Sequence, residues 1–190
     1  MSEENLVIEV ALLVARALEH LGIEYALGGS VAGGMFGEPR YTRDLDFAVR
    51  MEPTQVEEFS ARLGPDFSVD KSGLREAIRI RSSENIFFLP RFFKIDLFLG
   101  GREPFDDSEF RRRVRIAIAE GGELFVASAE DILLRKLAWF RLGGEVSDQQ
   151  WRDVLGILRV SGHRLDRSYL EEWAERLGVG DLLARALSQG

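Results

Sequence analysis

Residues 23–49 read IEYALGGSVAGGMFGEPRYTRDLDFAV, and this stretch decides the fold. Ile23 to Leu27 has the apolar character of a short strand, and it runs into Gly28-Gly29-Ser30. Ser30 suits the N-cap of a short helix, Val31 to Phe36, which Gly37 ends. Arg43 to Val49 then reads as a second strand, so Asp44 and Asp46 project from one face while Leu45 points to the other. Two carboxylates about 7 Å apart along one face repel each other and resist burial unless a cation sits between them. Mg²⁺ is the natural candidate, because it takes hard oxygen ligands and leaves positions for water and phosphate.

Working outward, Val7, Val10, Ala11, Val14, Ala17, Leu18 and Leu21 make a helical stripe before this stretch, broadened by Leu6 and Leu13 and stopped by Gly22. After it, Thr54 and Glu57 form a capping box for a helix that Gly64-Pro65 terminates. Phe67 to Asp70 reads as a strand, and Leu74 to Ser82 as a short helix whose β-branched Ile78 and Ile80 leave a strand open. Asn85 to Leu89 and Phe92 to Leu99 are aromatic-rich strands joined in a hairpin at Pro90-Arg91. Arg115 to Ala119 and Leu124 to Ala127 are further strands around the Gly121-Gly122 turn. From Ser128 onward only helices are expected, capped by Ser128 with Asp131, by Ser147 with Gln150 and by Asp166, and Asp181 begins a last short amphipathic one. The expected class is α+β: a small mixed sheet flanked by helices over residues 1–127, then a helical subdomain over 128–190.

Composition narrows the function. At 190 residues and 45% apolar, the chain suits one compact domain or a core with a small subdomain. The absence of cysteine excludes disulfide frameworks, thiolate metal sites and cysteine nucleophiles. His20 and His163 stand far apart, which argues against a histidine-centred metal site or triad. With 25 basic against 32 acidic residues, bulk sequence-independent nucleic-acid binding is disfavoured. A local basic surface stays open at Arg111, Arg112, Arg113 and Arg115, or at Arg75, Arg79, Arg81, Arg91 and Lys94. No apolar run approaches the roughly 20 residues of a membrane span, and the opening MSEENLVIEV lacks a basic n-region. A cytoplasmic location without membrane contact is expected.

A third carboxylate, Asp96, sits in the apolar run Phe93-Lys94-Ile95-Asp96-Leu97-Phe98-Leu99. Three carboxylates on neighbouring strands can hold two metals about 4 Å apart, one activating an acceptor oxygen and one steadying leaving phosphates. Gly28 and Gly29 permit close backbone approach, and Ser30 with the following helix start presents N–H donors to phosphate. Asp-x-Asp alone is common in surface strands, and Gly-Gly-Ser alone is a generic turn. Joined in this order with a third strand Asp, they point to a metal–nucleotide site. Trp139, Trp151 and Trp173 read as core or groove wall, and Phe87, Phe88, Phe92 and Phe93 as sheet packing. Tyr41 is a secondary candidate for stacking on a base.

Gly28-Gly29-Ser30-x-Ala32 with Arg40-x-Thr42-Arg43-Asp44-Leu45-Asp46 resembles the first motif of the DNA polymerase β-like nucleotidyltransferase superfamily. Lys94-Ile95-Asp96-Leu97 is similar to its third-carboxylate strand. Within that superfamily the chain is most similar to the AbiEii/AbiGii toxin-like nucleotidyltransferases, a likeness that continues through Ala129-Glu130-Asp131-Ile132-Leu133-Leu134-Arg135-Lys136-Leu137. The resemblance implies a nucleotidyltransferase fold and transfer of a nucleoside monophosphate from an NTP, dependent on Mg²⁺ or Mn²⁺, with release of pyrophosphate. It implies that Asp44, Asp46 and Asp96 are catalytic and hold the metal. Gly28, Gly29, Ser30, Arg40, Thr42, Arg43 and Lys136 would then bind the nucleotide. The family's later Arg-Asp-x-x-Asp element is matched in part by Asp148 and by Arg152-Asp153, at altered spacing, so the roles of Asp148 and Asp153 stay open.

The acceptor implied is a hydroxyl or phosphate on an RNA end, a protein or a small molecule, and a cognate antitoxin-like protein is a possible partner. The alternative is a non-catalytic module of the same fold that binds a nucleotide or a partner protein. Three intact carboxylates weigh against that alternative.

Overall fold

The computed structural model describes residues 3–101, 103–118 and 121–189. Its order is α1 (Glu3–His20), β1 (Glu24–Leu27), α2 (Gly29–Phe36), β2 (Asp44–Arg50), α3 (Val56–Leu63), β3 (Phe67–Val69), α4 (Lys71–Ile80), β4 (Ser83–Phe88) and β5 (Phe93–Phe98). Then follow α5 (Pro104–Arg112), β6 (Val114–Ala117), β7 (Glu123–Val126), α6 (Ala129–Leu142), α7 (Asp148–Ser161), α8 (Arg167–Arg176) and α9 (Gly180–Leu187). Ala119, the expected end of the sixth strand, lies outside the described residues.

The chain falls into two compact units. A sheet unit comprises residues 1–28 and 41–126, and a helical unit comprises 29–40 and 127–190. In the sheet unit the seven strands run in the order β3-β4-β5-β2-β1-β7-β6. β2 pairs parallel with β5 and antiparallel with β1, and β1 pairs parallel with β7, so the sheet is mixed.

Strand alternation sorts the two faces. Leu45, Phe47 and Val49 of β2 lie opposite Ile95 and Leu97 of β5 and Leu27 and Tyr25 of β1, and all are buried. Ile86 and Phe88 of β4 continue that face toward Phe67. α1, α3 and α4 belong to the same unit. The stripe of α1 is buried much as the periodicity predicts, except that Leu12 is inside and Leu13 is half out. Tyr25 runs through this core; its hydroxyl donates to Glu19 Oε1 (2.8 Å) and accepts from the Phe125 amide (3.2 Å). Burial, with Glu19 adding to it, raises the pKa of that phenol well above the ordinary tyrosine value.

Several local expectations shift. Pro53 at the first helical position moves the capping box back to Glu52 with Gln55, around a short 3-10 turn ahead of α3, so Thr54 does not cap. Residues 74–82 fall mainly in α4, capped by Asp70, whose carboxylate accepts from the Ser72 and Gly73 amides at 3.0 Å each. Those bonds, the Gly73 amide's foremost, hold the Asp70 pKa below the usual carboxylate range. α2 begins at Gly29, which puts Ser30 inside the first turn rather than at the cap.

In the helical unit, α2 packs on α6 and α7. Glycines permit the approach. A Cβ on Gly37 would lie 2.9 Å from the Ile157 amide nitrogen, and one on Gly33 would lie 3.2 Å from Lys136 Cε. The expected caps of α6, α7 and α8 form, with Ser128, Ser147 and Asp166 accepting from the amides of Asp131, Gln150 and Tyr169. Among the described residues no helix is long and apolar enough to cross a membrane.

Candidate active site

On the sheet face opposite the core, the parallel register sets Asp44 beside Lys94 and Asp46 beside Asp96. Period-two alternation makes this unavoidable once Leu45, Ile95 and Leu97 are buried. The three sequence-predicted carboxylates therefore share one face of two adjacent strands. Asn85 and Phe87 of β4 stand opposite Asp96 and Lys94 and extend the same face. Phe98, expected to share the side of Asp96, is exposed there.

A cation among these acids is an ammonium. Lys94 Nζ lies 2.8 Å from Asp96 Oδ2 and 4.0 Å from Asp44 Oδ1. Its hydrogen bond to Asp96 raises the Lys94 pKa against the lowering effect of partial burial, and the charges of Asp96, Asp44 and Asp46 add to the rise. Asp96 is 15% exposed and Asp44 56%, so the face grades from sheltered to open. Among the described residues no group of three acid or imidazole side chains converges closely enough to hold a metal ion. The donors nevertheless suit one: they are hard carboxylate oxygens on a rigid sheet, and they already hold a cation in Lys94.

Backbone contacts tie the glycine turn to this face. The Gly28 amide donates to the Asp46 carbonyl (2.8 Å), continuing the β1–β2 ladder one residue beyond Leu27. Just before β2, the Thr42 hydroxyl accepts from the Asp44 amide (3.2 Å), and the Arg43 guanidinium lies 5.7 Å from the Tyr41 ring centre while its Nε donates to the Tyr41 hydroxyl. Thr42 thus shapes the entry to the strand.

The helical unit gathers the remaining nucleotide-binding candidates. Gly29 adopts φ +61° at the start of α2, a conformation that favours glycine. Arg40 donates to the Ser30 hydroxyl and reaches Asp153, with Nε 3.3 Å from Oδ1. Gln149, its amide oxygen turned inward, accepts from the same guanidinium at 2.7 Å. Lys136 donates to Asp153 Oδ2 at 2.7 Å, and only 10% of its side chain is exposed. The lysine beside an apolar helical stripe therefore meets an anion, one supplied by the protein.

Asp153 is thus the shared partner of two predicted phosphate ligands, which the sequence reading left without a role. The signal was present in Arg152-Asp153 on an amphipathic helix, but which cations it meets depends on tertiary packing. Asp148 is exposed, and Arg152 bonds the Asp148 carbonyl (3.4 Å) rather than its carboxylate. Within the basic run near residue 113, Arg113 pairs with Glu24 (3.0 Å) and stacks over Phe125, and Arg115 pairs with Glu123 (3.0 Å). Trp173 is buried as expected, whereas Trp139 is 52% exposed. His163 lies exposed in a 3-10 turn.

No family profile matches this chain, and no curated protein does. Among solved structures, an antigenic nucleotidyltransferase-like protein from Paracoccidioides brasiliensis is similar at a TM-score of 0.52 and 15% identity, over 96% of this chain and 92% of that one. JHP933 from Helicobacter pylori is similar at 0.51 and 14% identity, over 96% and 80%. The antibiotic-resistance factor ANT(2'')-Ia is similar at 0.49 and 11% identity, over 96% and 95%. At such identities the likeness establishes architecture alone. The chain has a mixed α+β nucleotidyltransferase-like fold.

Proposed function

We propose that the protein is a nucleotidyltransferase that moves a nucleoside monophosphate from an NTP to a hydroxyl or phosphate acceptor. The observation that carries this reading is the in-register set of Asp44, Asp46 and Asp96 on one sheet face, beside a glycine turn whose backbone bonds Asp46. In the reaction an acceptor oxygen bonds to the α-phosphorus, the bond from that phosphorus to the bridging oxygen of the β-phosphate breaks, and pyrophosphate leaves with the electron pair. Mg²⁺ or Mn²⁺, when bound, supplies charge neutralisation on the phosphates and acidifies the acceptor. Asp44, Asp46 and Asp96 are the residues that would hold it.

The chain's own contributions are positioning and electrostatics. Asp96, sheltered on the sheet face, is the candidate to help deprotonate the acceptor once Lys94 has left it. Gly28 and Gly29 leave backbone accessible to phosphate, and Thr42 and Arg43 fix the start of the carboxylate strand. Ser30, Arg40 and Lys136 offer a hydroxyl and two cations to the triphosphate, with Asp153 holding the two cations in place until phosphate competes for them. The likeness in motif supports a toxin-like role with a cognate inhibitory partner, acting where NTP and Mg²⁺ are plentiful, as in the cytoplasm.

The test is a mass-resolved search for nucleotidylated product, offering each labelled NTP with tRNA, total protein or small acceptors. Product is expected with Mg²⁺ or Mn²⁺ and absent in Asp44→Asn and Asp46→Asn, whose melting temperatures should match or exceed the wild type because like-charge repulsion is relieved. Lys136→Ala should weaken triphosphate binding more than monophosphate binding. Nucleotide binding without any product, unchanged by the Asp substitutions, would instead make the chain a non-catalytic binding module.

A further inference from the structure

We propose that Lys94 is a resident counter-cation of the carboxylate face, one that a divalent ion must displace, so that ammonium and metal compete for Asp96 and Asp44. The inference deepens the proposed function and rests on its reading of those carboxylates as metal ligands.

The strand leaves Lys94 no other direction. Phe93, Ile95 and Leu97 of β5 are buried in the core, so the residues between them must point to the acidic face. The parallel pairing then fixes Lys94 opposite Asp44, two residues from Asp96 on its own strand. Its ammonium takes Asp96 Oδ2 at 2.8 Å and approaches Asp44 Oδ1 at 4.0 Å. A divalent ion on the same carboxylates would sit within a few ångströms of that ammonium, and the two positive charges repel, so metal and Lys94 compete for the negative charge of Asp96 and Asp44.

The arrangement also explains how three like charges share one face before any metal arrives. Without a cation, neighbouring carboxylates about 5 Å apart across the strands would repel one another. Lys94 supplies one positive charge there, held by a flexible stem. The side chain is 39% exposed, so water can receive the ammonium when it leaves. An arginine forked onto the same carboxylates would be much harder to release.

The experiment is a Mn²⁺ titration of the full chain without nucleotide, read by the electron paramagnetic signal of free Mn²⁺, for the wild type and Lys94→Gln. Removing a positive charge a few ångströms from a divalent ion should tighten Mn²⁺ binding by about tenfold or more at low salt. Asp96→Asn added to Lys94→Gln should abolish the gain. A second measurement needs no variant. The chain has three lysines, Lys71, Lys94 and Lys136, so acetylation of each can be followed by mass spectrometry. Adding Mg²⁺ to the wild type should raise the labelling rate of Lys94, with Lys71 as the internal reference. Equal or weaker Mn²⁺ binding by Lys94→Gln, or Lys94 labelling that Mg²⁺ leaves unchanged while the metal binds, overturns the competition and leaves the metal site standing. No Mn²⁺ binding by either protein overturns both the competition and the proposed metal site.

Discussion

Asp153→Ala tests the charge network of the helical unit on its own terms. Asp153 accepts from Lys136 at 2.7 Å and stands 3.3 Å from Arg40 Nε, with 15% of its own side chain and 10% of that of Lys136 exposed. A hydrogen bond between charged groups contributes about 1.5–3 kcal/mol. Removing one partner of a buried pair costs about 3–5 kcal/mol when the survivor is fully enclosed. Lys136 keeps a narrow route to water, and Arg40, about a third exposed, keeps Ser30 and Gln149, so its share is at most about 1 kcal/mol. The expected loss is therefore about 2–4 kcal/mol, or roughly 4–16 °C in Tm for a chain of this size. Urea denaturation followed by circular dichroism reads it as a lower midpoint at constant slope. Lys136→Met with Asp153→Leu should recover most of the loss, because no charge is left stranded. A single-variant loss under about 0.5 kcal/mol, or a double variant no better than the single, refutes the account.

Three further outcomes are expected. Gly37→Ala pushes a methyl to 2.9 Å from the Ile157 amide nitrogen, backbone that cannot rotate away, and should cost about 1–3 kcal/mol in a urea melt. The Asp70 pKa is lowered by the Gly73 and Ser72 amides, so its contribution to stability is complete above the unfolded carboxylate value and is lost as pH falls through the folded one; Asp70→Ala should flatten that part of the stability–pH curve in denaturation series between pH 7 and pH 2. Tyr25, its pKa raised by burial, should stay protonated beyond the ordinary phenol range, so an absorbance titration of Tyr25→Phe should lose only a late phase at high pH.

The strand carrying Asp44 and Asp46 was legible because alternation is a local property, and Leu45, Phe47 and Val49 declare the buried side without outside help. The same reasoning put Phe98 beside Asp96. What alternation cannot supply is which residue of β5 faces which residue of β2, because register between strands some fifty residues apart depends on the whole core. Lys94 was therefore visible only as a charge in a strand, and the cation demanded by the acids was assigned to a metal alone. Caps at Ser128, Ser147 and Asp166 could be read because three-residue spacing sets them. The Thr54 expectation failed because Pro53, one residue earlier, sets the helical geometry first. Asp153 illustrates the opposite limit: its partners Arg40 and Lys136 come from two distant segments, a pairing that no local pattern encodes.

The composition of the helical unit has a consequence for synthesis. α2 packs on α6 and α7, and the Ser161 hydroxyl donates to the Phe36 carbonyl across 125 residues of chain. At about 5–20 residues per second, a ribosome leaves that helix without its partners for roughly 6–25 s. Throughout that interval Gly29–Phe36, apolar and rich in glycine, has little intrinsic tendency to stay helical. The nascent chain thus carries its glycine turn as a loose hydrophobic segment until α7 emerges. That long closure predicts slow, chaperone-sensitive maturation of the helical unit, and it means that no fragment ending before residue 161 can complete it.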